Sequence, residues 1–122
     1  MEIKNINEKS FVINMGSGCG IEGVSGRASY CTTKFGLRGL SLSLFKELKE
    51  RVNVIHLALG SVLTNFGPLN MKEKISASNK SKSYFSPEQV AQKICELIEK
   101  NYNEAEYKFY PKGYLKQLKS KC

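Results

Sequence analysis

Two apolar runs constrain this chain more than anything else in it. FVINM (Phe11 to Met15) and VNVIHLAL (Val52 to Leu59) have strand length and carry β-branched residues. Neither alternates cleanly between apolar and polar, so each reads as a strand covered on both faces, as in a parallel sheet. Between them lies a glycine cluster and then a proline-free segment with helical spacing. Parallel neighbours need a long crossover, usually a helix, and this interval supplies one. The expectation is therefore strand, helix, strand, in an α/β fold.

The rest of the chain extends that alternation. Gly16, Gly18, Gly20, Gly23 and Gly26 mark a loop where the backbone bends or approaches something closely. From Ala28 to about Glu50, Leu37, Leu40, Leu44 and Leu48 form one stripe, and Phe35, Leu42 and Phe45 a second. Two stripes predict a helix buried on two sides. Gly60 to Phe85 is polar and Lys- and Ser-rich, a long excursion with room for one short helix. Ser86, Pro87 and Glu88 then mark a helix start, with Val90, Ile94, Leu97 and Ile98 on its buried face and an end near Asn101. EYKFY (Glu106 to Tyr110) predicts a third short strand, and Leu115 and Leu118 sit in a terminal helix. Such sheets bind ligands beyond the carboxyl ends of their strands. That rule selects Gly16 to Ser25, the start of the long helix, and Gly60 to Thr64.

Composition narrows the function. A chain of 122 residues has room for one domain. Its 11 acidic residues are all Glu, which removes Ser-His-Asp triads and Asp-based calcium loops. Cys19, Cys31, Cys95 and Cys122 are too widely spaced for a zinc site, so no metal is expected, and they read as reduced thiols. No apolar run has the ~18 residues of a membrane span, and the first ten residues lack a signal-peptide core. These features point to the cytoplasm. The net charge of +8 rests on 16 Lys against 3 Arg, scattered rather than clustered, which argues against specific nucleic-acid binding. Lysines thicken at Lys72 to Lys82 and Lys108 to Lys121, stretches that suit an acidic partner or surface.

The chemistry lies in YCTTK. Tyr30 and Lys34 are four apart, on one face of the long helix. A phenol is a poor acid at neutral pH, but an ammonium beside it favours the phenolate and lowers its pKa. The pair then makes a proton donor for a carbonyl undergoing reduction. Ser17, just after the first strand, offers a hydroxyl to the same oxygen. GCGIEG (Gly18 to Gly23) matches the dinucleotide pattern G-x-G-x-x-G, but it does not open a helix directly and no acid ends the next strand. His56, on a buried strand, reads as a core histidine, and Cys19 as a small buried thiol.

NMGSGCG, YCTTKFGLRGLSLSLFKEL and VNVIHLALGSVLTNF together resemble the second half of a short-chain dehydrogenase/reductase. The family's Ser lies thirteen residues before its Tyr, as Ser17 does before Tyr30. The resemblance implies Tyr30 as general acid/base, Lys34 lowering its pKa and binding the nicotinamide ribose, and Ser17 orienting the carbonyl. LGSVLT resembles the family's Pro-Gly-x-Val-x-Thr turn, with Leu59 in place of Pro, so Gly60, Val62 and Thr64 are expected to hold the nicotinamide. The implied cofactor is NAD or NADP, and the substrate a small-molecule carbonyl or alcohol.

The family's Thr-Gly-x-x-x-Gly-x-Gly fingerprint has no counterpart here. Residues 1–122 are thus expected to form a single partial domain, the last three strands of a doubly wound Rossmann-like sheet without its N-terminal cofactor half. The first strand then has an open edge, and the chain alone is expected to be inactive and to self-associate, or to need a complementing half. Two other readings stand beside this one: a non-catalytic fragment docking on another chain, and a basic module binding acidic surfaces.

Overall fold

The computed structural model describes residues 9–78 and 83–119. The elements run β1 (Ser10–Met15), a single 3-10 turn (Gly18–Gly20), α1 (Ala28–Leu48), β2 (Val52–Leu59), α2 (Met71–Ser78), α3 (Pro87–Glu99), β3 (Glu106–Phe109) and α4 (Tyr114–Lys119). The three strands form one parallel sheet in the order β1-β2-β3. β2 is the central strand, buried from Asn53 through Ala58, which is why its sequence carries almost no polar face. β1 pairs on one side only among the described residues, and Val12 and Met15 are exposed there.

The register lines up three polar residues across the sheet. Asn14 of β1 is opposite His56 of β2, which is opposite Glu106 of β3. Helix α1 lies over this row and supplies its partners. Asn14 Nδ2 donates to Ser41 Oγ at 2.9 Å, and Arg38 donates to both Glu106 carboxylate oxygens at 2.7 and 3.2 Å. His56 Nδ1 lies 2.8 Å from Glu106 Oε2 and has no exposed surface. His56 is thus a core histidine, paired with a glutamate rather than an aspartate. Buried polar groups are costly unless hydrogen-bonded, so this row fixes how α1 sits on the sheet.

By the pleat, Tyr107 and Phe109 face away from α1. The Lys93 ammonium of α3 lies 5.5 and 5.4 Å from those two ring centroids, placing α3 on the opposite face. The sheet therefore carries helices on both sides. α3 begins as its sequence predicts: Ser86 Oγ accepts from Gln89 N–H, and Gln89 Oε1 accepts from Ser86 N–H, a reciprocal cap with Pro87 in the first turn.

Helix α1 departs from expectation. Its buried residues are Cys31 and Ser41, while Leu40 and Phe35, from the two stripes, are exposed. One face meets the sheet; the other stripes are only partly covered by the described residues.

The excursion after β2 is closed at its base. Val62 and Phe85 form a parallel bridge, and the Phe85 and Phe109 rings stack at 4.0 Å. Inside it, Asn70 and Glu73 cap α2 reciprocally: Glu73 N–H donates to Asn70 Oδ1, and Asn70 N–H to Glu73 Oε2.

Candidate functional site

The carboxyl ends of β1 and β2 open onto a cleft of about 740 Å³. Its floor starts where β1 stops. Gly16 N–H still donates to Leu57 O at 2.7 Å, extending the ladder by one residue. A Cβ on Gly16 would lie 2.1 Å from His56 Nε2, so the polar row beneath demands glycine here. Ser17 follows in an extended conformation and its Oγ accepts from Cys19 N–H at 3.2 Å, capping the 3-10 turn. Gly20 lets that turn touch α1 directly, for a Cβ there would meet Lys34 O at 2.8 Å.

Helix α1 brings up the next pair. Tyr30 and Lys34 are one turn apart, with the Lys34 ammonium 5.8 Å from the Tyr30 ring centroid. The ammonium also donates to Met15 O at 2.9 Å, at the last residue of β1. That bond leaves further donors on the same nitrogen for a ligand in the cleft. The loop after β2 forms the facing wall: Gly60, Val62 and Thr64 all line the cleft. Thr64 Oγ1 accepts from Phe66 N–H at 3.3 Å, and the Phe66 ring packs 6.5 Å from that of Tyr30. The fold thus gathers all six sequence candidates, Ser17, Tyr30, Lys34, Gly60, Val62 and Thr64, around one cavity.

Other cleft residues are not evident from sequence. Tyr114 of α4 reaches back against Gly18, where a Cβ would meet its hydroxyl at 2.4 Å. Burial, and then the neighbouring Cys19 and Tyr30, push the Tyr114 phenol up to about 12, so it keeps its proton at neutral pH. Leu118, Val24, Phe66 and Leu69 add apolar wall, and Arg27 and Lys74 add cationic side chains. Of these, only Val24 lies in a segment that the carboxyl-end rule selects, Gly16 to Ser25, and Lys74 is one of the lysines at Lys72 to Lys82. The Cys19 thiol is raised by burial and by Cys31, which disfavours a reactive thiolate. The G-x-G-x-x-G stretch forms the 3-10 turn, and the helix opens only at Ala28. No group of three or more potential metal ligands occurs among the described residues. Nor is any described helix long and apolar enough to cross a membrane.

A parallel sheet with helices on both faces and a cleft at its carboxyl ends defines an α/β, Rossmann-like architecture. The family model for short chain dehydrogenase matches residues 4–74, more than half of the chain. The chain belongs to the short chain dehydrogenase family. It is similar to a 3-ketodihydrosphingosine reductase of Dictyostelium discoideum, 43% identical over 47 residues. That match covers 38% of this chain and 14% of the relative's length.

Proposed function

We propose that this chain carries the proton-transfer and nicotinamide-facing parts of an NAD(P)-dependent oxidoreductase that interconverts a carbonyl and an alcohol. The observation that carries the reading is the convergence of Ser17, Tyr30 and Lys34 on one cleft from two separate elements. Tyr30 holds the proton that goes to the carbonyl oxygen on reduction and returns on oxidation. Lys34, anchored at Met15 O, places a positive charge beside the Tyr30 ring, where the proton is exchanged. The Ser17 hydroxyl hydrogen-bonds the substrate oxygen and orients it.

The cleft fits the nicotinamide end of the cofactor. Lys34 has donors left for ribose hydroxyls, and the Thr64 hydroxyl, which accepts from Phe66 N–H, keeps its own proton to donate to the carboxamide. Gly60 and Val62 complete that wall. When bound, the nicotinamide supplies or receives the hydride. The pyrophosphate and adenine are held by strands outside the described sheet, pairing with the open edge of β1. Val12 and Met15, exposed along that edge, support this placement. Helix α1, with Phe35 and Leu40 exposed, offers an association face.

The substrate is a ketone bearing an apolar chain. Val24, Phe66, Leu69 and Leu118 in the cleft wall support this, as does the name of the Dictyostelium relative. The test, on the protein in its complete, cofactor-binding form, is transfer of deuterium from the reduced nicotinamide C4 to a panel of ketones of increasing chain length. Label appearing in long-chain alcohols supports the reading; label in none of the panel, with cofactor in excess, overturns it.

A further inference from the structure

Lys74 is only 7% exposed, yet it projects from a short helix in the polar excursion. Its ammonium donates to three backbone carbonyls: Val62 O at 3.3 Å, Thr64 O at 2.6 Å and Phe66 O at 2.6 Å. These are alternate residues of one ribbon, curled so that their oxygens converge. An ammonium has three N–H groups in a tripod, and the ribbon offers a matching set of acceptors. Three converging carbonyl dipoles repel one another, so without the charge between them the ribbon favours a more open course.

The ribbon's cargo gives this contact its meaning. Val62 and Thr64 line the cleft, and Phe66 sets its ring against Tyr30. Within the ribbon, Thr64 N–H donates to Val62 O, Leu63 N–H to Phe85 O, and Phe66 N–H to Thr64 Oγ1, bonds that do not themselves draw the 62, 64 and 66 carbonyls together. Helix α2 is itself capped by Asn70 and Glu73, and Met71 N–H donates to Asn65 Oδ1, so the base from which Lys74 reaches is fixed. We propose that Lys74 is a positioning residue, whose ammonium gathers the 62, 64 and 66 carbonyls and so holds the nicotinamide-facing wall and the Phe66 ring in register with Tyr30. The inference rests on the cofactor-wall reading of Val62 and Thr64 only for its consequence in catalysis.

Two substitutions separate the possibilities. Lys74→Met keeps the stem and removes the donors; Lys74→Arg keeps charge and donors in a planar fork that cannot reproduce the tripod. Amide hydrogen exchange and Tyr30 ring resonances are measured on the full chain without cofactor. In Lys74→Met, the Leu63, Thr64 and Phe66 amides should exchange at least about tenfold faster and the Tyr30 resonances should shift, while Val54 and Ile55 in β2 change less than about threefold. Lys74→Arg should fall between the wild type and Lys74→Met. Unchanged loop exchange overturns the proposal. So does an equal increase in loop and β2, which makes Lys74 a general stabiliser, or Lys74→Arg exchanging as fast as Lys74→Met. These readouts need no cofactor, so they stand or fall apart from the proposed reaction. Where reduction is measurable, Lys74→Met should raise the KM for the nicotinamide about tenfold with kcat within about threefold. A fall in kcat alone contradicts the positioning role.

Discussion

Replacing Gly16 by Ala puts the account of the polar row to a quantitative test. The added Cβ sits 2.1 Å from His56 Nε2, 2.6 Å from Cε1 and 2.9 Å from Cδ2. Ordinary contacts begin near 3.4 Å, so the ring or the strand must give by more than 1 Å. The ring is poorly placed to yield. It is wholly buried on the central strand, and its Nδ1 is 2.8 Å from a carboxylate that Arg38 also grips. Overpacking of this kind costs about 1–3 kcal/mol. If the ring moves away, the hydrogen bond to Glu106 weakens, adding about 1 kcal/mol. The expected loss is roughly 2–4 kcal/mol, which lowers a urea midpoint by about 1–2 M at an unchanged slope. Removing the obstacle should remove the cost: in a His56→Ala background, Gly16→Ala should cost less than about 1 kcal/mol. An equal cost in both backgrounds, or a negligible cost in the wild type, refutes the packing argument.

Acid should weaken the fold through the same row. Burial holds the His56 imidazole below its usual range, against the raising effect of Glu106, and the nearby Arg38 and Lys34 charges add to the lowering. The unfolded chain then binds a proton near pH 6.5 that the folded chain refuses, so stability falls as pH drops below about 6.5. Burial alone raises Glu106, but Arg38 and His56 together bring it below the usual carboxylate range, so its contribution fades at still lower pH. Thermal midpoints from pH 8 to pH 5 should decline, and His56→Asn should flatten the upper part of that decline; equal slopes in both proteins contradict it. Ser86→Ala removes the reciprocal cap of α3 and should cost about 1 kcal/mol in denaturant unfolding, while Glu88→Gln, which touches no cap hydrogen bond, should cost less than half of that.

Much of the fold is legible because its signals are local. The β-branched runs mark β1 and β2, the Ser-Pro-Glu start marks α3, and a single carboxyl-end rule points to the cleft. Ser17, Tyr30 and Lys34 are legible for the same reason: two lie on one helical turn and the third follows a strand. What was hidden depends on distant pairing. Asn14, His56 and Glu106 look like scattered polar residues until the register puts them in one row under α1, with His56 and Glu106 fifty positions apart. Lys74 reads as one solvated lysine among many, because nothing in its neighbourhood announces three carbonyls eight to twelve residues earlier. The stripes of α1 predicted two buried sides, but periodicity cannot say whether the covering surface belongs to the same sheet or to something that packs on it. Leu40 and Phe35 remain exposed for that reason.

The central claim is that Tyr30 moves the proton. The most direct measurement is the rate of nicotinamide-dependent ketone reduction by the protein in its complete, cofactor-binding form, with Tyr30 compared against Tyr30→Phe. The substitution removes one hydroxyl and keeps the ring that packs on Phe66. The account predicts that kcat falls by about a hundredfold or more, while the KM for the nicotinamide changes little and the folded structure persists. Undiminished turnover by Tyr30→Phe would contradict it.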